Sequence, residues 1–191
     1  SNRDKNRSFM LEYGLLINKY RMEFINNINT YISNIYSYIF KSGELKIKYN
    51  SYYNGKNEIK LLKSYQQNYK KEMEIGKTLL GIHHDDIEFI IDNNNLKEWG
   101  SEGQRKNAII SFKLAEIKVV NNIKKYNPIL ILDDLFSELD QEKIKNILKL
   151  LDKEVQTFIT TTEINKVDKK IKKSANIYYV ENGNITEENY G

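Results

Sequence analysis

The chain runs to 191 residues with a net charge of +4, no cysteine and a single proline. That length allows one domain or one and a half with a hydrophobic core, and the missing thiols exclude disulfides, thiolate metal sites and cysteine nucleophiles. No apolar run is long enough to span a bilayer and the polar start from Ser1 to Arg7 is unlike a signal peptide, so a cytoplasmic chain with no membrane partner is expected. Ser1-Asn2 stands where an initiator Met would, which reads as an expressed fragment.

Apolar residues from Leu11 through Leu15, Met22, Ile25, Ile28, Ile32 and Ile35 to Ile39 fall at helical spacing and predict one long amphipathic helix. Leu45, Ile47 and Tyr49 then alternate with charged residues, the period of a half-buried strand, and a more polar helix is expected over 58–74. The texture changes at Gly76. Thr78 to Ile91 reads as two strand segments around a polar interruption, 92–95 as a turn and 103–125 as a helix. Ile129-Leu130-Ile131-Leu132 is a continuous apolar run, expected as a strand buried on both faces of a parallel sheet. A helix over 141–151, a strand over 156–160, a lysine-rich helix over 165–173 and strands over 176–180 and 184–186 follow. This order is α/β, with a mainly helical arm over 1–75 and an α/β lobe over 76–191.

Asp133 and Asp134 close the apolar run. A rigid strand ending in paired acids is the Walker B arrangement of P-loop ATPases, which projects carboxylates into the crevice where nucleotides bind. In that role Asp133 would hold Mg2+ and Asp134 would orient the attacking water. The alternative is a buried strand with a helix-capping Asp at its end. Upstream, Gly100-Ser101-Glu102-Gly103-Gln104 combines a hydroxyl, glycines and the free N–H groups of a helix N-terminus, which makes an anion site. Here the alternative is an ordinary helix capped by Ser101. Asp140 reads as the cap of the next helix. Gln156 to Thr162 is a second strand ending in hydroxyls, and β-branched filling of the strand end is the alternative for Thr160 and Thr161.

These blocks, in this order, resemble the SMC-like ABC ATPases. Ser101, Gly103 and Gln104 match the signature sequence, and Leu135-Phe136-Ser137-Glu138-Leu139-Asp140 resembles the D-loop. Thr78-Leu79-Leu80-Gly81-Ile82-His83-His84-Asp85-Asp86 is similar to the Gly-Pro-His-Arg-Asp-Asp block of the RecF family, matching at Gly81, His83, Asp85 and Asp86 and departing at Ile82 and His84. Lys113-Leu114-Ala115-Glu116 and the ending Thr160-Thr161-Thr162 are also similar. The resemblance implies the C-terminal lobe of an ATPase head, with ATP and Mg2+ as cofactors of the intact, dimerised protein. It implies Ser101, Gly103, Gln104, Ser137 and Asp140 on the nucleotide, Asp133 on the metal, and as catalytic residues Asp134, which orients the attacking water, and Thr162 at the switch position. Thr162 stands where His is common, which implies slow hydrolysis or weaker phosphate sensing. It further implies a nucleoid-associated protein of DNA replication, recombination and repair and of the SOS response. Such a protein homodimerises on ATP, binds duplex DNA near single-strand gaps, and works with RecR and RecO to help load RecA.

Glu74-Ile75-Gly76-Lys77-Thr78 imitates the end of a Walker A loop, but the first glycine of that motif would fall at Lys71 and the preceding segment reads as helix. The Walker A lobe is therefore expected outside this chain, and the chain alone is expected to be inactive. His83, Asp85 and Asp86 are metal-ligand types, yet neighbours on a strand alternate faces, so a structural or interface role is expected for them. Lys166, Lys169, Lys170, Lys172 and Lys173 form either a solvated face or a DNA contact. Two further readings remain: another SMC-like repair ATPase, and a non-enzymatic scaffold or DNA-binding module of the same fold.

Overall fold

The computed structural model describes residues 2–134, 139–151 and 155–188, with side chains described from 9 to 187 within these. In place of one long helix there are two, α1 (Asn2–Asn29) and α2 (Ile32–Phe40). The break has a local cause. The Thr30 N–H and hydroxyl both turn back onto the Asn27 carbonyl, at 3.2 and 2.7 Å, and the Tyr31 N–H reaches the Ile28 carbonyl at 3.0 Å. Such three-residue bonds tighten a last turn and end it, and a threonine hydroxyl competes for the backbone. Freed from the helix line, the Asn29 side chain donates to the Ile47 carbonyl and accepts from the Ile47 N–H, both at 2.8 Å. It thereby imitates a neighbouring strand on the outer edge of β1 (Leu45–Asn50).

The chain divides into two compact units, Ser1–Ser37 with Lys41–Val119, and Tyr38–Phe40 with Val120–Gly191. The boundary expected near Gly76 falls inside the first unit, because β1 and β2 (Asp86–Ile91) lie on either side of Gly76 and pair antiparallel from Leu45↔Ile91 to Asn50↔Asp86. β3 (Asn94–Asn95) returns onto β2 through Asp92 and Asn93, both left-handed at φ 47° and 68°, the two-residue turn that suits the twist of a hairpin. Leu45 and Ile47 of β1 are buried, as are Ile25 and Ile28 of α1, which packs against that strand. Each fully buried aliphatic side chain contributes about 1.5–3 kcal/mol.

α3 (Glu58–Ile75) starts at Asn57, whose side chain accepts the Lys60 N–H, and stops at Gly76, left-handed at φ 71° with its N–H on the Glu72 carbonyl. Gly76 is therefore a helix C-cap, the conformation glycine adopts without steric cost, and the Gly-Lys-Thr string marks the end of a helix. Leu11, Tyr53, Leu61 and Tyr65 form a buried cluster in which the two tyrosine hydroxyls lie 2.7 Å apart. Burial, and then the bond to Tyr53, push the Tyr65 hydroxyl well above the ordinary phenol range. Gly14 of α1 makes room for this pair, since a Cβ there would lie 2.5 Å from the Tyr53 hydroxyl.

The segment 78–91 holds one strand, β2, where two segments were expected. Residues 82–84 wind into a 3-10 turn closed by the His84 N–H on the Gly81 carbonyl at 3.1 Å. Gly81 makes it possible with φ 153°, a backbone that side chains rarely tolerate. A short helix α4 (Leu96–Trp99) and the long α5 (Glu102–Lys124) follow. Phe112 of α5 meets Phe89 of β2 edge-on, with ring centres 5.8 Å apart.

The second unit contains a strand–helix–strand crossover: β4 (Leu130–Leu132), α6 (Gln141–Leu150) and β5 (Thr157–Ile159). β4 and β5 run parallel with Leu130↔Thr157, Ile131↔Phe158 and Leu132↔Ile159 in register. The expected strand is present, but it is not buried on both faces. Leu130 and Leu132 are buried whereas Ile131 is 70% exposed, and its register partner Phe158 is 52% exposed. Successive side chains leave opposite faces of a strand, and among the described residues only one face of this two-stranded sheet is covered. After α7 (Lys169–Lys173), β6 (Ile177–Glu181) and β7 (Asn184–Glu188) form a hairpin across Asn182 and Gly183, both at positive φ.

Candidate functional site

The acids expected to act lie just beyond the end of β4. The fixed strand delivers Asp133 and Asp134 to the surface, where both are exposed. Parallel register then brings the residue after β5 beside them. Thr160 donates its backbone N–H to the Leu132 carbonyl at 3.0 Å, extending the ladder by one bond. Its hydroxyl accepts the Asp134 N–H at 2.9 Å and donates to Asp133 Oδ1 at 2.5 Å. Asp134 is left-handed at φ 45°. Asp accepts that conformation more readily than most side chains because its short polar group bonds locally. The chain thus turns sharply between the two carboxylates.

The two neighbouring threonines are placed differently. Thr161 Oγ1 accepts the Glu163 N–H at 2.9 Å, closing a local turn. Thr162 is exposed. The hydroxyl that meets the acids is that of Thr160, which strand-end filling alone would have explained from sequence. The signal that finds it is register: once Leu132 is opposite Ile159, the next residue of each strand must meet. Ser137 lies outside the described residues. Asp140 caps α6, its side chain accepting the Lys143 N–H at 2.9 Å while Lys143 Nζ sits 2.7 Å away. The bond from the Lys143 side chain, and then that from its backbone, hold the Asp140 carboxyl below the ordinary range.

In the first unit, Ser101 and Gln104 form a reciprocal capping box at the start of α5. Ser101 Oγ accepts the Gln104 N–H at 3.1 Å and Gln104 Oε1 accepts the Ser101 N–H at 2.9 Å. Arg105 donates to the Gly100 carbonyl at 2.9 Å. Glycine is required at 100, where a Cβ would lie 2.6 Å from the Leu96 carbonyl oxygen. At Gly103 a Cβ would meet nothing within 4 Å, so packing does not demand that glycine and the surface above the helix start stays open. Glu102 pairs with Lys106 at 3.0 Å, which lowers its carboxyl pKa. Trp99, just ahead of this turn, is 77% exposed.

The block from Gly81 to Asp86 divides its side chains between two tasks. Asp85, whose side chain is only 3% exposed, turns inward to Arg21 of α1 at 3.0 Å and accepts a short bond from the Tyr49 hydroxyl. Arg21 also bonds the Ile82 carbonyl at 2.9 Å. Burial first, and the Asp85 bond second, raise the Tyr49 pKa. Asp86 faces Lys97 at 3.6 Å, and His84 Nε2 lies 3.0 Å from the Thr78 carbonyl oxygen. Asp85 therefore ties α1 to the turn before β2. Its partners Arg21 and Tyr49 are distant in sequence and gave no local signal.

A parallel strand pair joined through a helix, with paired acids after its first strand, belongs to the class of fold found in the α/β lobe of ABC/SMC-like ATPase heads. Two solved structures of the recombination mediator protein RecF in the RecFOR pathway, RecF-ATPrS and RecF-ATP, share the fold, with TM-scores of 0.75 and 0.74 over 93% of this chain and 48% of theirs at 24% identity. No family model matches the chain. Among curated proteins it is similar to the DNA replication and repair protein RecF of Ligilactobacillus salivarius (strain UCC118), 37% identical over 177 residues, covering 88% of this chain and 47% of that one. The RecF of Staphylococcus carnosus (strain TM300) is 36% identical over 182 residues, covering 91% and 49%. About nine tenths of the chain is thus similar to RecF proteins, and it spans about half the length of the curated relatives it matches.

Proposed function

We propose that this chain supplies the Walker B, signature and D-loop half of a RecF-type ATPase that acts in DNA replication and repair. The observation that carries the reading is the strand-end geometry: two exposed acids after β4, fixed to the end of β5 through one hydroxyl. Mg2+ is commonly held by one or two carboxylates and completes its shell with water and phosphate oxygens, which fits Asp133 and its surroundings. No group of three or more His, Cys, Asp or Glu with metal-holding geometry occurs among the described residues, so the phosphates would have to complete the site. Bound with the nucleotide, the cation would neutralise charge on the phosphates.

The chain's own groups have distinct tasks in this proposal. Asp133 holds the cation. Asp134 accepts a hydrogen bond from the attacking water and orients it. Ser101 Oγ, engaged only as an acceptor in its capping box, keeps its proton to donate to a phosphate, and the open surface at Gly103 lets the phosphate approach. Gln104, Ser137 and Asp140 line the nucleotide interface of an ATP-dependent homodimer, and Thr162 senses the phosphate. Duplex DNA near single-strand gaps, RecR and RecO are the proposed partners, supported by the similarity to RecF proteins of the RecFOR pathway, with RecA loading as the outcome.

ATP hydrolysis by the full-length protein tests this. Asp134→Asn is expected to retain ATP while turnover collapses, and Asp133→Asn to weaken the Mg2+ requirement's saturation. Both variants running at the parent rate would replace the ATPase with a scaffold of the same fold.

A further inference from the structure

We infer that Thr160 is a positioning residue for both acids, an inference that rests on the ATPase reading above. A hydroxyl carries one proton and two lone pairs, so it can donate once and still accept. Thr160 uses both capacities on adjacent residues: the proton goes to Asp133 Oδ1 and a lone pair receives the Asp134 N–H. Its backbone N–H takes the Leu132 carbonyl in addition. One residue at the end of β5 is thus bonded to three consecutive residues at the end of β4.

The consequences differ for the two acids. Asp133 is an exposed side chain at a strand end, and without a fixed partner it would sample several rotamers. The Thr160 hydroxyl selects one of them, and threonine is suited to this because β-branching restricts its own χ1. A carboxylate accepts at both oxygens, so the bond leaves Asp133 able to hold a cation. For Asp134 the effect is on the backbone. Its left-handed conformation is uncommon for a non-glycine residue, and the bond from its N–H to Thr160 fixes the turn that aims the side chain. The same hydroxyl therefore sets the direction of the metal-holding acid and of the water-orienting acid together. A valine at 160 would keep the shape and strand preference of threonine and lose only these two bonds.

The test uses the full-length protein with two readouts, Mn2+ affinity of the ATP-bound protein by electron paramagnetic resonance and steady-state ATP turnover. Four variants are compared: Thr160→Val, Thr160→Ala, Thr160→Ser and, as reference, Asp133→Asn. Groups that orient a metal ligand typically change metal affinity about 10- to 100-fold when removed. Thr160→Val and Thr160→Ala are expected to weaken Mn2+ about 10-fold and slow turnover at least as much, with ATP affinity in the absence of divalent cation unchanged. Thr160→Ser, which keeps the hydroxyl, is expected to restore most of both. Thr160→Val and Thr160→Ala matching the parent in Mn2+ affinity, while Asp133→Asn loses it, would overturn the positioning role and leave the ATPase reading standing. Asp133→Asn also matching the parent would remove the ATPase reading and this inference with it. The two hydroxyl-free variants differ in shape, so a folding defect peculiar to one does not decide the outcome.

Discussion

The β1–β2 sheet of the first unit and the β4–β5 pair of the second are finished in opposite ways. The first pairs over six residues and its outer edge is closed by side chains: Asn29 takes both polar groups of Ile47, and Asn54 donates to the Tyr49 carbonyl at 3.0 Å. The second pairs over three residues, shows Ile131 and Phe158 to solvent, and concentrates its polar contacts at one strand end. Polar side chains in the first unit satisfy backbone groups that would otherwise be stranded, so they act on stability. In the second they hold carboxylates at the surface, where the proposed ATPase would do its chemistry. Stability and turnover should therefore respond separately to substitutions in the two places.

The largest expected effect is on turnover. Removing an acid that orients or deprotonates a nucleophile typically costs about 10²–10⁴-fold, and Asp134→Asn should fall in that range by steady-state ATP hydrolysis of the full-length protein. Asn shares the tolerance of Asp for the left-handed backbone, so melting curves should stay close to the parent. A matching loss of stability would mean that Asp134 holds the fold. In the first unit Gly14→Ala should do the reverse. Alanine favours a helix interior by about 1 kcal/mol over glycine, but its Cβ would sit 2.5 Å from the Tyr53 hydroxyl. Overpacking of that kind costs about 1–3 kcal/mol. Urea unfolding should report a net loss with turnover per folded molecule unchanged, and a stabilised variant would show that Tyr53 moves aside freely.

Asn29→Ala is a milder probe of edge closure. It leaves the Ile47 N–H and carbonyl without their partner, at about 1–2 kcal/mol if water reaches them poorly. Faster hydrogen exchange at the Ile47 amide should accompany the loss, and unchanged exchange would mean that Asn29 is dispensable there. The smallest effect is expected at Asp140, where cap removal by alanine typically costs about 1 kcal/mol. Its folded-state pKa is depressed by Lys143, so the ionised cap stabilises above the ordinary Asp value of about 3.9, and that share is lost as pH falls through the lower folded-state value. The gap between parent and Asp140→Ala in urea unfolding should therefore be present at neutral pH and close in acid. A gap that widened in acid would contradict the sign.

Much of the fold was legible because it is local. α3, α5 and α6 follow the apolar spacing and their caps, and β4 was visible as an apolar run ended by acids. What escaped depends on partners distant in sequence. The break after α1 serves a strand 18 residues away through Asn29, and Asp85 is buried by Arg21 and Tyr49. The first half of 78–91 has strand-like composition, yet the backbone at Gly81 turns it. The same holds at the candidate site. Asp133 and Asp134 were evident as a pair, whereas choosing Thr160 among three successive threonines needed the register of β4 with β5.

Trp99 offers a practical consequence. It is the single tryptophan of the chain, largely solvent-exposed, and one residue ahead of the signature-like turn at the start of α5. Indole emission responds to local polarity and quenching, and the one indole of this chain stands at that turn, so excitation selective for tryptophan over tyrosine reads that place within the chain. Binding, dimerisation or rearrangement at the N-terminal end of α5 can thus be followed as a spectral change in real time, without attaching a dye.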